Sequence, residues 1–192
     1  MKYNIYFIDK EVMKELGVRL TPYLILNLLF DKNAWQTVCI IPNQKIMPMD
    51  LSKELGYAPS SITRQISDLK KNELLFQTSK DGLTLSSYTK AVFENKSSFN
   101  EKNIIPIYYE LCIKPYINTP EKMAVVATLW KYQKAGYNLN RNRIVTELDM
   151  IVSKSTIYQL IKSYLSIGLI SQSITGRFRF KDDLSDILAQ MK

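Results

Sequence analysis

The chain has 192 residues, 46% of them hydrophobic and 23% charged, which is enough apolar material for one ordinary domain or two small ones and excludes a disordered or fibrous chain. Lysine and arginine total 26 against 18 acidic residues, a formal net charge of +8, and histidine is absent, which excludes Ser–His and Cys–His nucleophilic chemistry, histidine metal sites and histidine pH switches. The two cysteines, Cys39 and Cys112, make neither a thiolate zinc site nor a disulfide framework, so a basic, non-catalytic binding protein without metal or cofactor is expected.

Residues 3–8 fit a strand and 10–16 a helix; the apolar run at the start is too short for a secretory signal and lacks its small-residue cleavage site. A helix is expected over 21–30, with Pro22 in its first turn. Its run from Tyr23 to Phe30 is the greasiest in the chain, yet far short of the roughly 18–20 residues that span a bilayer. No membrane association is therefore expected, and the cytoplasm is the default location. Residues 35–42 read as a strand that returns through 45–47 as a small hairpin, with Cys39 buried in it. A short helix over 50–56, capped by Asp50, leads through the turn Gly56-Tyr57-Ala58 into a longer helix opening at Pro59. There Ile62, Ile66 and Leu69 form one apolar stripe, while Arg64, Ser67, Lys70 and Lys71 point elsewhere. Residues 74–78 and 83–85 flank Asp81-Gly82 as a hairpin.

The polar stretch 95–103 reads as a linker, and 104–117, bracketed by Pro106 and Pro115, is open between a short helix and a strand. A helix over 119–134 begins at Pro120 and places Leu129 and Trp130 in the core. A shorter helix over 143–150, capped by Asn140 or Asn142, turns through Ile151-Val152-Ser153 into a helix striped by Ile157, Ile161, Tyr164 and Leu165. Residues 169–174 and 177–181 flank Thr175-Gly176 as a second hairpin. The tail over 182–190, capped by Asp182 or Asp183, has Leu184, Ile187, Leu188 and Met191 at helical spacing. Either this tail or the first strand packs within the chain or pairs two chains as a homodimer.

The chain repeats itself. Residues 55–66 align with 150–161 at a constant offset that matches Ser60 with Ser155, Ile62 with Ile157 and Ile66 with Ile161; further on, Glu73-Leu74-Leu75 meets Gly168-Leu169-Ile170. Helix, helix, turn, helix and β-hairpin is the element order of a winged helix, and it occurs twice. The expected fold is therefore mainly α with small β-hairpins (α+β), as two tandem winged-helix domains: 1–94 and 104–192, joined by the linker 95–103.

In a helix-turn-helix the second helix enters the DNA major groove, and its N-terminal exposed residues reach base edges. Ser60, Ser61, Thr63, Arg64 and Ser67, with Lys71 behind them, fit that role in the first copy. Lys154, Ser155, Thr156, Tyr158, Gln159 and Lys162, flanked by Arg141 and Arg143, fit it in the second. Arg64 suits guanine and Gln159 adenine through bidentate bonds. The structural alternative is that these are solvated faces of ordinary helices. Arg177, Arg179 and Lys181 alternate with Phe178 and Phe180, putting the cations on one face of a strand and the aromatics on the other. Such a strand is a wing that tracks phosphates or probes the minor groove, or else an edge strand kept from aggregating by its charge. Only Lys80 offers a comparable contact in the first hairpin. The sequence contains no phosphate-cradling loop motif and no paired carboxylates, and no small-molecule ligand is evident.

The string Leu55-Gly56-Tyr57-Ala58-Pro59-Ser60-Ser61-Ile62-Thr63-Arg64 resembles the leucine–glycine–x–serine–x–x–threonine–valine–x–arginine segment of bacterial winged helix-turn-helix regulators. The segment from Val152 to Gln159, followed by Gly168-Leu169-Ile170, is similar, but has Ile151 where glycine is usual and Gln159 in place of arginine. The layout also resembles plasmid and phage replication initiators, and is shared by protein-binding subunits of chromosome-condensation and endosomal-sorting complexes. The resemblance implies sequence-specific binding of double-stranded DNA by a transcriptional regulator, or by a replication initiator at origin repeats; a protein-interaction scaffold is the alternative of another class. Charge favours DNA. From Tyr116 to Lys181 ten cations face three anions, +7, whereas from Leu20 to Lys90 eight face six, +2, so the second domain is expected to grip DNA harder.

Overall fold

In the computed structural model, strand β1 (Ile5–Asp9) ends where the Asp9 carboxylate caps helix α1 (Lys10–Glu15), accepting from the amides of Glu11 at 2.8 Å and Val12 at 3.3 Å. The structure describes residues 5–31, 35, 38–40, 44–78, 82–96, 104–108, 117 and 119–180. Helices predominate, and the sheets are small and antiparallel where two or more strands pair within a unit, so the architecture is α+β. Two compact units are present: Tyr6–Ile104, and Ile105–Lys192 with Met1–Ile5.

In the first unit, helix α2 (Leu20–Phe30) buries Leu20, Tyr23, Leu24, Ile25, Leu26 and Leu28. A helix apolar on nearly every side belongs at a centre, and the helices over 59–71 and 87–96 and the strand over 82–85 pack against it. Helices α3 (Pro48–Leu55) and α4 (Pro59–Lys71) form the helix-turn-helix, each with proline in its first turn. Asp50 acts from inside α3 rather than as its cap, its carboxylate accepting from the Met47 amide at 2.9 Å. Gly56, at φ 69°, supplies the left-handed residue that ends α3. Ile62, Ile66 and Leu69 are buried as the stripe expects, each worth about 1.5–3 kcal/mol of apolar transfer.

After α4 the chain reverses at Glu73, a non-glycine residue at φ 55°, where the amides of Glu73 and Leu74 donate to Lys70 and Leu69 carbonyls, both at 3.0 Å. Strands β2 (Leu75–Thr78) and β3 (Gly82–Leu85) then pair antiparallel, Leu75 opposite Leu85 and Thr78 opposite Gly82. Residues 36, 37 and 41–43 of the hairpin expected over 35–47 lie outside the described residues, and the described residues 35, 38–40, 44 and 45 lie outside any strand. Their backbone and side chains find other partners. The Trp35 indole donates to the Leu28 carbonyl at 2.8 Å, and the Val38 amide donates to the buried Glu54 carboxylate at 2.8 Å. Ile46 makes a lone parallel bridge to Gly82, whose approach is so close that a Cβ there would meet the Ile46 carbonyl at 2.9 Å. Cys39 is exposed, not buried.

Helix α5 (Ser87–Lys96) has no apolar stripe in the sequence to mark it. The Ser86 hydroxyl accepts from the Thr89 amide at 3.2 Å, the Thr89 hydroxyl donates to the Leu74 carbonyl at 2.8 Å, and Phe93 stacks on Phe30 at 4.9 Å. The helix takes Asn95 and Lys96 from the expected linker; residues 97–103 lie outside the described ones.

Strand β4 (Ile104–Tyr108) resolves the start of the ambiguous 104–117 segment as extended. In the second unit, helix α6 (Pro120–Lys134) is capped by Thr119 and buries every residue from Met123 to Leu129. Strand β5 (Leu139–Asn140) precedes helix α7 (Arg141–Glu147), which Asn140 caps by accepting from the Arg143 amide at 2.9 Å. The connection to helix α8 (Lys154–Ser166) runs over 148–153, longer than the 56–58 turn of the first unit. Its left-handed residue is Met150, at φ 67°, while Ile151 and Val152 are buried. Ile157, Ile161 and Tyr164 form the buried stripe of α8. The Tyr164 hydroxyl donates to the Lys122 carbonyl at 3.2 Å, and burial raises its pKa, keeping it a donor. Strands β6 (Ile170–Gln172) and β7 (Arg177–Phe180) complete a three-stranded antiparallel sheet in the order β5-β7-β6. The tail over 182–190 lies outside the described residues.

Candidate nucleic-acid interface

The first turn of α8 is built from hydroxyls. Ser153 caps it by accepting from the Thr156 amide at 3.2 Å, and its Oγ lies 3.0 Å from Ser155 Oγ and 2.7 Å from Thr156 Oγ1. Ser155 and Thr156 therefore spend part of their bonding capacity on holding the helix start. One turn on, the Tyr158 ring takes two cations, with Arg141 Cζ 5.1 Å from its centroid and Lys154 Nζ 5.7 Å from it. Three expected site residues from two helices thus meet at one ring. Gln159 and Lys162 are exposed, with no partner among the described residues.

Arg143 also makes an ion pair within its own helix. Its Nε sits 3.0 Å from Glu147 Oε1, one turn along α7. Burial, then the hydrogen bond to Glu147 and its charge, raise the pKa of the Tyr132 phenol, while Arg143 opposes the shift. Tyr132, Glu147 and Arg143 form a polar cluster that ties α6 to α7.

The alternation in β7 is realised: Arg177 and Arg179 are exposed, and Phe178 and Phe180 are buried. Arg177 stands opposite Asn140, the residue that caps α7 and directly precedes Arg141, and Arg179 stands opposite Ser171. The register therefore brings the wing's first cation to the N-terminus of α7, next to the residue whose guanidinium lies over Tyr158. Strand β5, which creates this juxtaposition, is two residues long and gave no sequence signal of its own. Phe180 anchors the strand from behind, its amide donating to Gln133 Oε1 at 2.8 Å. Lys181 lies outside the described residues.

The first unit presents a plainer surface. Ser60, Ser61, Arg64 and Ser67 are exposed along α4 with no side-chain partner among the described residues. The Thr63 hydroxyl donates back to the Pro59 carbonyl at 2.9 Å and is engaged within its own helix. Lys71 sits 3.9 Å from Asp68 with both groups well exposed, a pair of little energetic worth. Lys70, not singled out from sequence, donates to Gln77 at 2.6 Å and links α4 to β2. Lys80 lies outside the described residues.

No helix among the described residues is long and apolar enough to cross a membrane, and no three described His, Cys, Asp or Glu side chains gather as a metal site. No known family model matches the sequence, and no curated protein matches it. Among solved structures the chain is similar to the DIP2311 protein from Corynebacterium diphtheriae, at 10% identity and a TM-score of 0.30, over 91% of this chain and 28% of that one. It thus spans less than a third of that protein's length, and at that TM-score the likeness bears on neither fold nor function.

Proposed function

We propose that this chain binds double-stranded DNA in a sequence-specific manner through two helix-turn-helix units with hairpin wings, and that it acts as a transcriptional regulator. One observation carries this: in the second unit Arg141 and Lys154 flank Tyr158 at the start of an exposed helix, and the sheet register sets Arg177 beside that helix pair. Cations so grouped suit phosphates on either side of a groove, while Gln159 on the same exposed face carries the amide that pairs bidentately with adenine. A helix that docked on a protein would need exposed apolar residues at its centre. The open face of α8 instead carries Lys154, Gln159 and Lys162, which supports DNA over a protein-interaction scaffold.

The test is a fluorescence-anisotropy titration of the full chain with a labelled random duplex of about 25 base pairs at two salt concentrations. If four or five phosphates are neutralised, affinity falls by at least about a hundredfold between 50 and 200 mM salt. Absence of binding at low salt, or binding indifferent to salt, overturns the proposal.

A further inference from the structure

The tip of the second hairpin presents a single apolar side chain to solvent. Between β6 and β7 the chain turns through Ser173-Ile174-Thr175-Gly176, with Gly176 at φ 74° in the left-handed position. Four hydrogen bonds pin this turn. The Gly176 amide donates to the Ser173 carbonyl at 2.9 Å, the Ser173 amide to the Arg177 carbonyl at 2.8 Å, and the Arg177 amide to Ser173 Oγ at 3.1 Å. The hydroxyls of Ser173 and Thr175, on either side of Ile174, lie 2.9 Å apart and bond each other. The polar groups of the tip are thus turned onto the tip itself, and Ile174 is left fully exposed, at 108% of its reference accessibility. A β-branched apolar residue there gains nothing in the isolated protein and is stiff at χ1. Along the same strand, Arg177 and Arg179 point outward.

We propose that Ile174 is a wedge that enters a base step from the minor groove and partly unstacks it, held there by Arg177 and Arg179 on the flanking phosphates. This rests on the DNA-binding function proposed above. A rigid apolar tip backed by guanidinium groups is the combination that minor-groove proteins use to kink a duplex, because the apolar group replaces the lost stacking and the cations hold the bent backbone. It assigns the second hairpin a part in sequence choice, since pyrimidine–purine steps unstack most readily.

The experiment uses the full chain and a set of duplexes of about 25 base pairs with 2-aminopurine at successive TA steps, read by anisotropy for binding and by 2-aminopurine fluorescence for unstacking. The wild-type chain should raise the fluorescence at one or more placements. Ile174→Ser should abolish the rise while binding within about tenfold of wild type, and Ile174→Leu should retain it. Because the side chain is fully exposed, neither change disturbs the core. A rise that survives in Ile174→Ser, or binding by the wild-type chain with no rise at any placement, overturns the wedge and leaves the DNA-binding function standing. No binding in the anisotropy channel overturns both.

Discussion

Glu73 and Gly168 occupy equivalent places, each just beyond the end of the helix that follows the turn. The same two backbone hydrogen bonds close both helices: at Gly168 and Leu169 they measure 3.1 and 2.9 Å, at Glu73 and Leu74 both 3.0 Å. The geometry demands a left-handed residue, at φ 73° for Gly168 and φ 55° for Glu73, and only the glycine adopts it without a Cβ clash. Glu73→Gly should therefore stabilise the chain by about 0.5–1 kcal/mol, seen as a higher urea midpoint at unchanged slope. The reverse change, Gly168→Glu, should lower the midpoint by a similar amount; a Glu73→Gly chain no more stable than wild type would show that the strain is relieved elsewhere. The pairing of these two residues was legible from the repeat, but the strain was not, because glutamate is not a residue that announces a left-handed position. Met150 makes the same point. A constant alignment offset sets Ile151 against Gly56, yet the longer connection over 148–153 moves the left-handed residue back by one and buries Ile151 in the core.

At the scale of elements, the helices with one clean apolar stripe, α4 and α8, could be read directly, because period and burial coincide. Elements held by side-chain bonds or by very short ladders could not. Helix α5 is polar along much of its length and depends on the Ser86 and Thr89 hydroxyls and on Phe93, while β5 exists only through its pairing with Arg177 and Phe178. The exposed face of α8 was legible as a list of polar residues, but not as an arrangement: that Tyr158 gathers Arg141 and Lys154 depends on how α7 meets α8. If the ring fixes these two cations for phosphate contact, Tyr158→Phe keeps the aromatic face and leaves DNA affinity close to wild type. Tyr158→Ala frees both side chains and should weaken binding about five- to thirtyfold, in line with two exposed cation–π contacts. Anisotropy titrations of the two variants decide it. Equal loss in both would assign the role to the phenolic hydroxyl instead of the ring.

For the molecule as a whole, the net charge of +8 lies unevenly, with +7 between Tyr116 and Lys181. The structure adds a second asymmetry to the count. In the second unit Arg141, Lys154, Arg177 and Arg179 are drawn toward one helix pair and its wing, whereas on the exposed face of α4 Arg64 stands without an ion-pair partner among the described residues and Lys71 lies beside Asp68. A cation that neutralises a phosphate contributes close to one unit to the slope of log affinity against log salt; a cation that reads a base edge changes discrimination between sequences more than it changes that slope. Arg177→Ala with Arg179→Ala in the full chain should thus lower the slope by about 2 and weaken binding to every duplex. Arg64→Ala should change the slope by less than about 1 and act chiefly on the preference for guanine-containing sites. The measurement is affinity at four or more salt concentrations for each variant on one duplex, repeated on a second duplex of different sequence. A slope change for Arg64→Ala as large as for the wing pair would mean that the first unit carries as much of the phosphate contact as the second. The division of labour drawn from the charge distribution would then be wrong.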